Sequence, residues 1–416
     1  MKNNSRKRLN VTPLFYAIGN ASEDIYWAYK RVLLEGGKVN IIAPYLWTQI
    51  LQYKICNKEL FNLVTSLDNK VGACENLSIA VLRFYVNIIF VIKRSIGIIY
   101  RNLFKKGLSD SWYFPEVGKK DIWPPLINGN IDRLASDPIL DIIHDKTEIH
   151  IRENIKQECF NALREYEIDL ERHKFVCLHV RDNGYYQDYN RRSYRNATID
   201  NYHEAINFLV ENGLFVFRLG DTNMSRLGLD TEKVIDYPFT KLKSDAMDLF
   251  LISKCEFYIG MQSGPYDVAN IFNRPMLVLN MYSWFYGYPL KVCDRGLMKK
   301  IIMPDGSEVK TFKQIINLPY FFTDYTSESK EKGGLYVENN SREILSAVKE
   351  FYKDYQSGFT RNISSSMMSN YLLYRDSNEA IINDLSHPFY GKKHNPNLIT
   401  RNILYNLSAK GALYEF

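Results

Sequence analysis

The chain has 416 residues and a formal net charge of +6. Hydrophobic residues make up 46% and charged residues 24%, a balance that is typical of a globular protein with a large core and that excludes a disordered or collagen-like chain. At about 150 residues per domain, this length predicts two or three domains.

No N-terminal segment combines the charged start, apolar centre and small-residue cleavage site of a secretory signal, so we expect the protein to stay in the cytoplasm. The six cysteines have no paired spacing. This argues against a disulfide framework and against a zinc site, and we expect reduced, mostly buried thiols.

The opening of the chain predicts strand, loop, helix and strand at residues 14–18, 19–24, 25–35 and 39–43. A β-α-β order predicts a parallel sheet with helices on both faces. The loop lacks the spaced glycines that hold a pyrophosphate in nicotinamide enzymes, which argues against that class.

All the excess positive charge lies in residues 77–106, which contain six basic residues and no acidic one. If the stretch is helical, one narrow face carries Arg83, Asn87, Arg94, Arg101 and Lys105. Two interpretations stay open: a helix lying on the inner membrane surface, with its basic residues at anionic head groups, and a core helix of the first domain. The apolar run is too short and too interrupted by charge to span a bilayer.

From residue 147 onward strands again alternate with helices. Strands are predicted at residues 175–180, 214–219, 233–237, 257–260 and 276–280, and helices at 148–171, 200–211, 245–254, 265–272 and 340–355. The fold class is therefore α/β, with two Rossmann-like domains facing across a cleft. Domain limits are predicted at 1–150, 151–356 and 357–416, the last being a helical tail that packs back on the first domain.

The most informative motif is His179-Val180-Arg181-Asp182, at the end of an apolar strand. Open α/β sheets bind ligands at the carboxyl ends of their strands, and the planar guanidinium of Arg181 suits a diphosphate. The alternative is a surface arginine at a strand end.

A second strand closes on Arg218-Leu219-Gly220-Asp221. Arg218 is predicted either to reinforce a phosphate or carboxylate pocket, or to form a structural salt bridge with Asp245 or Asp248. Asp221 is predicted to accept hydrogen bonds from a ribose or sugar hydroxyl, or to cap the turn.

A third strand leads through Ser263-Gly264-Pro265 into a helix. Free backbone N–H groups at the start of such a helix favour an anion site, with Ser263 adding a hydroxyl and Gly264 permitting close approach. No P-loop, HExxH motif or His/Cys cluster with ligand spacing occurs, so a reaction without metal or cofactor is predicted.

These motifs resemble the second domain of bacterial surface-polysaccharide glycosyltransferases related to the fucosyltransferase superfamily, most clearly over residues 175–282. The resemblance implies a GT-B architecture, a metal-free reaction, and a donor diphosphate held by His179, Arg181, Ser263 and Gly264. The Tyr-rich stretch after Asp182 departs from the better-characterised fucosyltransferases.

The implied reaction transfers a sugar from a nucleotide-sugar donor to a hydroxyl of a lipopolysaccharide, O-antigen or capsule precursor, by an inverting route. Such a route needs a base, for which Asp182 and Glu23 are the candidates. Glu23 alternatively favours only the first turn of the following helix.

Two other functions remain as hypotheses. A non-catalytic nucleotide- or glycan-binding subunit of a polysaccharide assembly complex would keep the phosphate pocket and need no base. A nucleic-acid binder would use the basic helix, but its excess charge would normally form a broad patch around a recognition module. We therefore expect no nucleic-acid partner.

Overall fold

The structure is a computed structural model that describes residues 149–185, 193–282, 293–308 and 334–359, together with shorter pieces between residues 8 and 123. The first pieces include β1 (Arg8–Val11), β2 (Lys38–Ile41) and β3 (Ile122–Trp123). They form a parallel sheet in the order β2-β1-β3. The predicted parallel sheet of the opening is confirmed.

The first strand lies earlier than predicted. The sequence pattern placed it at residues 14–18, whereas Ile18 and Gly19 are helical. A short apolar run fits a buried strand and a buried helical segment equally well, and here its end belongs to a helix that also includes Ala21, Ser22 and Ile25.

A second, larger sheet contains six strands, in chain order β4 (Phe175–His179), β5 (Phe215–Leu219), β6 (Val234–Asp236), β7 (Tyr258–Gly260), β8 (Met276–Met281) and β9 (Arg295–Met298). All neighbours are parallel, in the order β6-β5-β4-β7-β8-β9. This is the Rossmann strand order, and the α/β fold class is confirmed.

Five helices accompany this sheet in the described residues: α1 (Glu153–Arg164), α2 (His203–Glu211), α3 (Asp245–Lys254), α4 (Gly264–Ile271) and α5 (Ser341–Gln356). The start of α3 is fixed by Ser244, whose hydroxyl accepts a hydrogen bond from the Met247 N–H at 3.1 Å. A capping box starts α5, with Asn340 and Glu343 as its two members.

The core lies between the second sheet and its helices. All five residues of β4 are buried, as expected for a central parallel strand covered on both faces. Phe257, next to β7, meets Phe351 of α5 edge to face, with ring centroids 5.2 Å apart. This packing holds α5 against the amino end of β7.

A small antiparallel pair follows the second sheet, β10 (Lys300–Ile302) with β11 (Leu335–Val337). The link to the sheet is reciprocal: the Asn280 N–H donates to Asn339 Oδ1 at 2.8 Å, and the Asn339 N–H donates to Asn280 Oδ1 at 2.7 Å. Glu338 is thereby held close to the carboxyl end of β8.

The first part of the chain contacts the N-termini of two helices that accompany the second sheet, α3 and α4. Gly19 lies so close to Gly264 that a Cβ on Gly19 would be 2.8 Å from the Gly264 Cα. The Asn57 amide donates to the Asp245 carbonyl at 2.8 Å. Both helices begin after a strand's carboxyl end, so the first part of the chain contacts the carboxyl edge of the second sheet.

Several predictions concern residues that the structure does not describe, or can be compared with it only in part. The tail beyond residue 359 lies outside them, so its packing stays a prediction, as do the domain limits. The five cysteines described are free, and Cys159, Cys177 and Cys255 are buried, as expected. No helix in the described parts of the chain has the length and apolar character needed to cross a membrane.

Candidate functional site

The strand order of the second sheet reverses between β4 and β7, and the crevice at such a reversal is where open α/β sheets bind ligands. Arg181 follows β4 and Ser263 follows β7, so both lie at this point. Because β9 is parallel to them, Lys299, directly after β9, belongs to the same edge of the sheet.

Arg181 is almost completely buried at this edge, with 5% of its surface exposed. Its Nη1 donates to Oδ1 of Asn196, a neutral acceptor. Its backbone is fixed on both sides, since its N–H donates to the Met261 sulfur at 3.3 Å and its carbonyl accepts from the Ala197 N–H at 3.0 Å. The guanidinium therefore has a defined position beside β7.

Lys299 is a second buried cation next to Arg181, and the sequence analysis missed it. Its Nζ donates to the main-chain carbonyl of Asn196, the same residue whose side chain accepts from Arg181. Two positive side chains thus converge on one residue. This arrangement is suited to an anion with several oxygens, such as a diphosphate.

The electrostatics of Lys299 reflect its surroundings. Burial lowers the pKa of its ammonium, the charge of Glu338 raises it and that of Arg181 lowers it, and the net result is a pKa of about 8. Glu338 itself accepts hydrogen bonds from the Thr198 N–H and hydroxyl, at 2.7 and 2.8 Å. An anion arriving between the two cations would favour the charged form of Lys299.

His179 and Ser263 are in contact, as the predicted donor site requires. His179 Nδ1 lies 3.0 Å from Ser263 Oγ, and that hydroxyl lies 3.3 Å from the Met261 carbonyl. Burial lowers the pKa of His179 to about 3, assisted by the charges of Arg218 and Arg181, so the imidazole is neutral at physiological pH. Both contacts are satisfied together when Nδ1 carries the proton and donates to the serine.

Arg218 points into the sheet and not into the crevice. It is 1% exposed, and its Nη1 lies 3.2 Å from Oδ1 of Asp236 in the adjacent strand β6. Its Nη2 donates to the Ser225 carbonyl at 2.6 Å. The structural salt bridge is thus the alternative that the geometry favours, although its partner is Asp236 and not Asp245 or Asp248 as predicted.

The two aspartates at strand ends organise loops. Asp182 accepts from the Gly184 N–H at 2.8 Å with one oxygen and from the Ser225 N–H at 2.7 Å with the other. Asp221 accepts from the Asn223 N–H at 3.0 Å, the turn-capping role foreseen as its alternative. With both oxygens of Asp182 tied to backbone amides, this residue joins the β4 and β5 loops.

The Gly264 position does require a close approach, as predicted, but a neighbouring part of the chain makes it. A Cβ on Gly264 would lie 2.4 Å from the Ile18 side chain. The start of α4 is therefore covered on this side by the first part of the chain. Glu23, the other candidate base, lies outside the described residues.

An aromatic cluster adjoins the same edge and was not foreseen. It comprises Tyr194, Tyr282 and Tyr336, with the Tyr194 ring centroid 5.1 Å from that of Tyr282 and 6.0 Å from that of Tyr336. The Arg195 guanidinium lies 5.2 Å from the Tyr282 ring. Such rings provide flat surfaces for a base or a sugar.

Within the described parts of the chain, no group of three or more His, Cys, Asp or Glu side chains is arranged to hold a metal ion. The expectation of a reaction without metal or cofactor stays a prediction. The residues brought together are His179, Arg181 and Ser263, joined by Asn196 and Lys299.

No protein-family model and no curated protein matches the chain. Among solved structures, it is similar to a family 9 glycosyl transferase from Veillonella parvula DSM 2008, at 11% identity and a TM-score of 0.41 over 70% of this chain and 86% of that one. It is also similar to E. coli ADP-heptose LPS heptosyltransferase II, at 13% identity and a TM-score of 0.42 over 84% and 99%. For E. coli heptosyltransferase WaaC with ADP-2-deoxy-2-fluoro heptose, the values are 10% and 0.32 over 65% and 88%.

Proposed function

We propose that this protein is a glycosyltransferase of the GT-B type, which moves a sugar from a nucleotide-sugar donor to a hydroxyl of a bacterial surface-glycan precursor. The acceptor class is a lipopolysaccharide, O-antigen or capsule precursor. The relation to fucosyltransferases stays a prediction carried by the motifs of residues 175–282.

The observation that carries the proposal is the pair of buried cations, Arg181 and Lys299, converging on Asn196 at the strand reversal. The charge of Arg181 lowers the pKa of Lys299, so the two cations lie close enough to act on the same bound anion. A donor diphosphate supplies the negative charge that such a pocket favours.

In the proposed reaction, the acceptor oxygen forms a bond to the anomeric carbon as the bond from that carbon to the diphosphate oxygen breaks. The bonding electrons leave with the nucleoside diphosphate, which gains negative charge. Arg181 and Lys299 stabilise this charge as it develops, and the neutral His179 orients the Ser263 hydroxyl beside them. Two cations in this position supply the charge stabilisation that a metal ion supplies in other transferases.

The acceptor hydroxyl must lose a proton to a base. Asp182 is a poor choice, since both of its oxygens accept backbone hydrogen bonds. Glu23 remains the candidate that the sequence offers. Because an inverting route needs such a base, an inverting outcome is part of the same proposal.

Donor binding is tested by thermal shift and calorimetry with UDP, GDP, CMP and ADP and with their sugars. ADP is included because one of the solved structures named above contains an ADP-sugar analogue. One nucleotide should raise the melting temperature of the parent protein. Arg181→Ala should greatly reduce this shift, whereas Arg172→Ala, at an exposed arginine before β4 on the opposite edge, should keep it. No response to any nucleotide would refute the proposal.

One observation favours a second candidate, a non-catalytic nucleotide- or glycan-binding subunit. Among the described residues of the crevice, Asp182 was the predicted base, and its carboxylate is engaged in the loop contacts. The two functions are separated by Glu23→Gln. An enzyme should lose turnover of the bound donor and keep donor affinity, whereas a binding subunit shows no turnover in the parent protein.

A further inference from the structure

The basic segment at residues 77–106 contains an exposed row of large apolar side chains. Where the structure describes this segment it is helical, and the row consists of Ile92, Ile96, Ile99, Leu103 and Phe104, here called the apolar stripe. Exposure runs from 44% for Ile96 to 71% for Leu103. This contradicts the interpretation as a core helix, in which these side chains would be buried.

The stripe is a continuous surface. Its spacings of four, three and four residues place Ile92, Ile96, Ile99 and Leu103 on one face of a helix. The ring of Tyr100 lies against that of Phe104, with centroids 4.7 Å apart, and extends the surface sideways. Apolar rows of this kind on a soluble protein mark a site of interaction.

The charge around the stripe indicates what covers it. The stretch from residue 77 to residue 106 has six Lys and Arg and no Asp or Glu. At helical spacing, the sequence predicts Lys93 and Lys106 at the two sides of the stripe, and Arg94, Arg101 and Lys105 on the opposite, polar face. An apolar face with a basic polar face behind it is the pattern of a helix that lies in a membrane interface. The partner must therefore accept apolar side chains and attract positive charge.

We propose that the apolar stripe and its basic surroundings bind the protein to an anionic lipid surface. The acyl region takes the apolar side chains, and anionic head groups attract the Lys and Arg residues. A second copy of the chain fits less well because it would bring like charges together. Nucleic acid offers phosphates but no partner for five exposed apolar side chains.

The test uses flotation of the full chain with vesicles of phosphatidylcholine and with vesicles of equimolar phosphatidylcholine and phosphatidylglycerol. The protein should float with the anionic vesicles and not with the neutral ones, and added salt should reduce its binding. The double variant Ile99→Gln with Leu103→Gln should bind on the order of a hundredfold more weakly, since two large side chains no longer enter the apolar layer.

Leu335→Gln is the matched control, because Leu335 of β11 is also exposed, at 53%, but lies outside the stripe. It should leave vesicle binding unchanged. All substituted positions are at the surface, so the melting temperatures of the variants should match that of the parent, as should nucleotide binding, which keeps this test separate from that of the donor site.

Equal binding to neutral and anionic vesicles, or undiminished binding of the double variant, would overturn the proposal. So would a lipid-free dimer, detected by light scattering, that the double variant converts to monomers, because the stripe would then be an interface between copies.

Discussion

Two strands of the second sheet end in similar sequences, and their arginines nevertheless have different surroundings. Arg218 lies within β5, and its charge meets the carboxylate of Asp236 in the neighbouring strand. Arg181 lies two residues beyond the end of β4, where it meets the amide of Asn196 and approaches Lys299. Both are buried, so burial alone does not distinguish a structural arginine from a binding one.

The difference is the position along the strand. A side chain inside a parallel strand faces the helices or the adjacent strands, and its charge must be neutralised there. A side chain just past the strand end reaches the crevice, where it can contact a ligand. Arg218 should therefore affect stability and Arg181 should affect donor binding.

The largest expected effect is on stability. Arg218→Met leaves Asp236 without its cation and should lower the free energy of unfolding by about 3 kcal/mol, because a half-broken buried ion pair is costly. Urea denaturation measures this. Adding Asp236→Asn should recover part of the loss, and nucleotide affinity of the folded variant should be unchanged; a stability equal to the parent's would remove the contrast between the two arginines.

The next effect is on donor affinity. Arg181→Met removes hydrogen bonds from a charged donor and should weaken binding of the cognate nucleotide by about tenfold to a hundredfold. Calorimetry measures the dissociation constant, with Arg172→Met as control. Stability should fall less than in Arg218→Met. If affinity is instead retained, Arg181 is structural as well.

The pH dependence of nucleotide affinity tests the role of Lys299 beside Arg181. Its pKa of about 8 means that the free protein loses this charge as the pH rises through 8, whereas bound diphosphate favours the protonated ammonium. Affinity should thus be highest at lower pH and fall about tenfold from about pH 7 to about pH 9. Calorimetry in buffers of different ionisation enthalpy should also record proton uptake on binding.

The matching variants are Lys299→Met and Lys299→Arg. Lys299→Met should bind weakly with a flat profile over this pH range, and Lys299→Arg, which keeps its charge, should bind more strongly than Lys299→Met with a flat profile too. A slope that survives in Lys299→Met would assign the titration to another group.

The smallest effect is expected at Ser263. Ser263→Ala removes one hydroxyl and should weaken nucleotide binding by about threefold to tenfold, the range for a single hydrogen bond. Its effect on unfolding should be small because Ser263 is only partly buried. A loss of affinity as large as that of Arg181→Met would mean that the His179–Ser263 pair contributes more to donor binding than one oriented hydroxyl.

The sequence patterns identify most of the second sheet because its central strands are continuous apolar runs, and α3 has the predicted limits of 245–254. They miss β9, since Arg295 and Gly296 interrupt its apolar pattern. Lys299 follows this unrecognised strand and is one of two adjacent lysines. Such a pair is typical of an exposed segment. Its burial depends on the position of β9 at the sheet edge.

The partner of Arg218 could not be found from the sequence either. Asp236 pairs with it through the register between β5 and β6, in which the two residues are direct neighbours. That register depends on strand order, whereas Asp245 and Asp248 were suggested by the helical segment in which they stand. The motifs thus locate the edge of the sheet, and the strand order determines which charges meet there.

The contact between Gly19 and Gly264 sets a minimum distance between the first part of the chain and the second sheet. The two backbones come this close because neither glycine has a side chain. A methyl group at either position would overlap atoms of the other segment, so alanine variants at residues 19 and 264 should move the first part of the chain away from the start of α4.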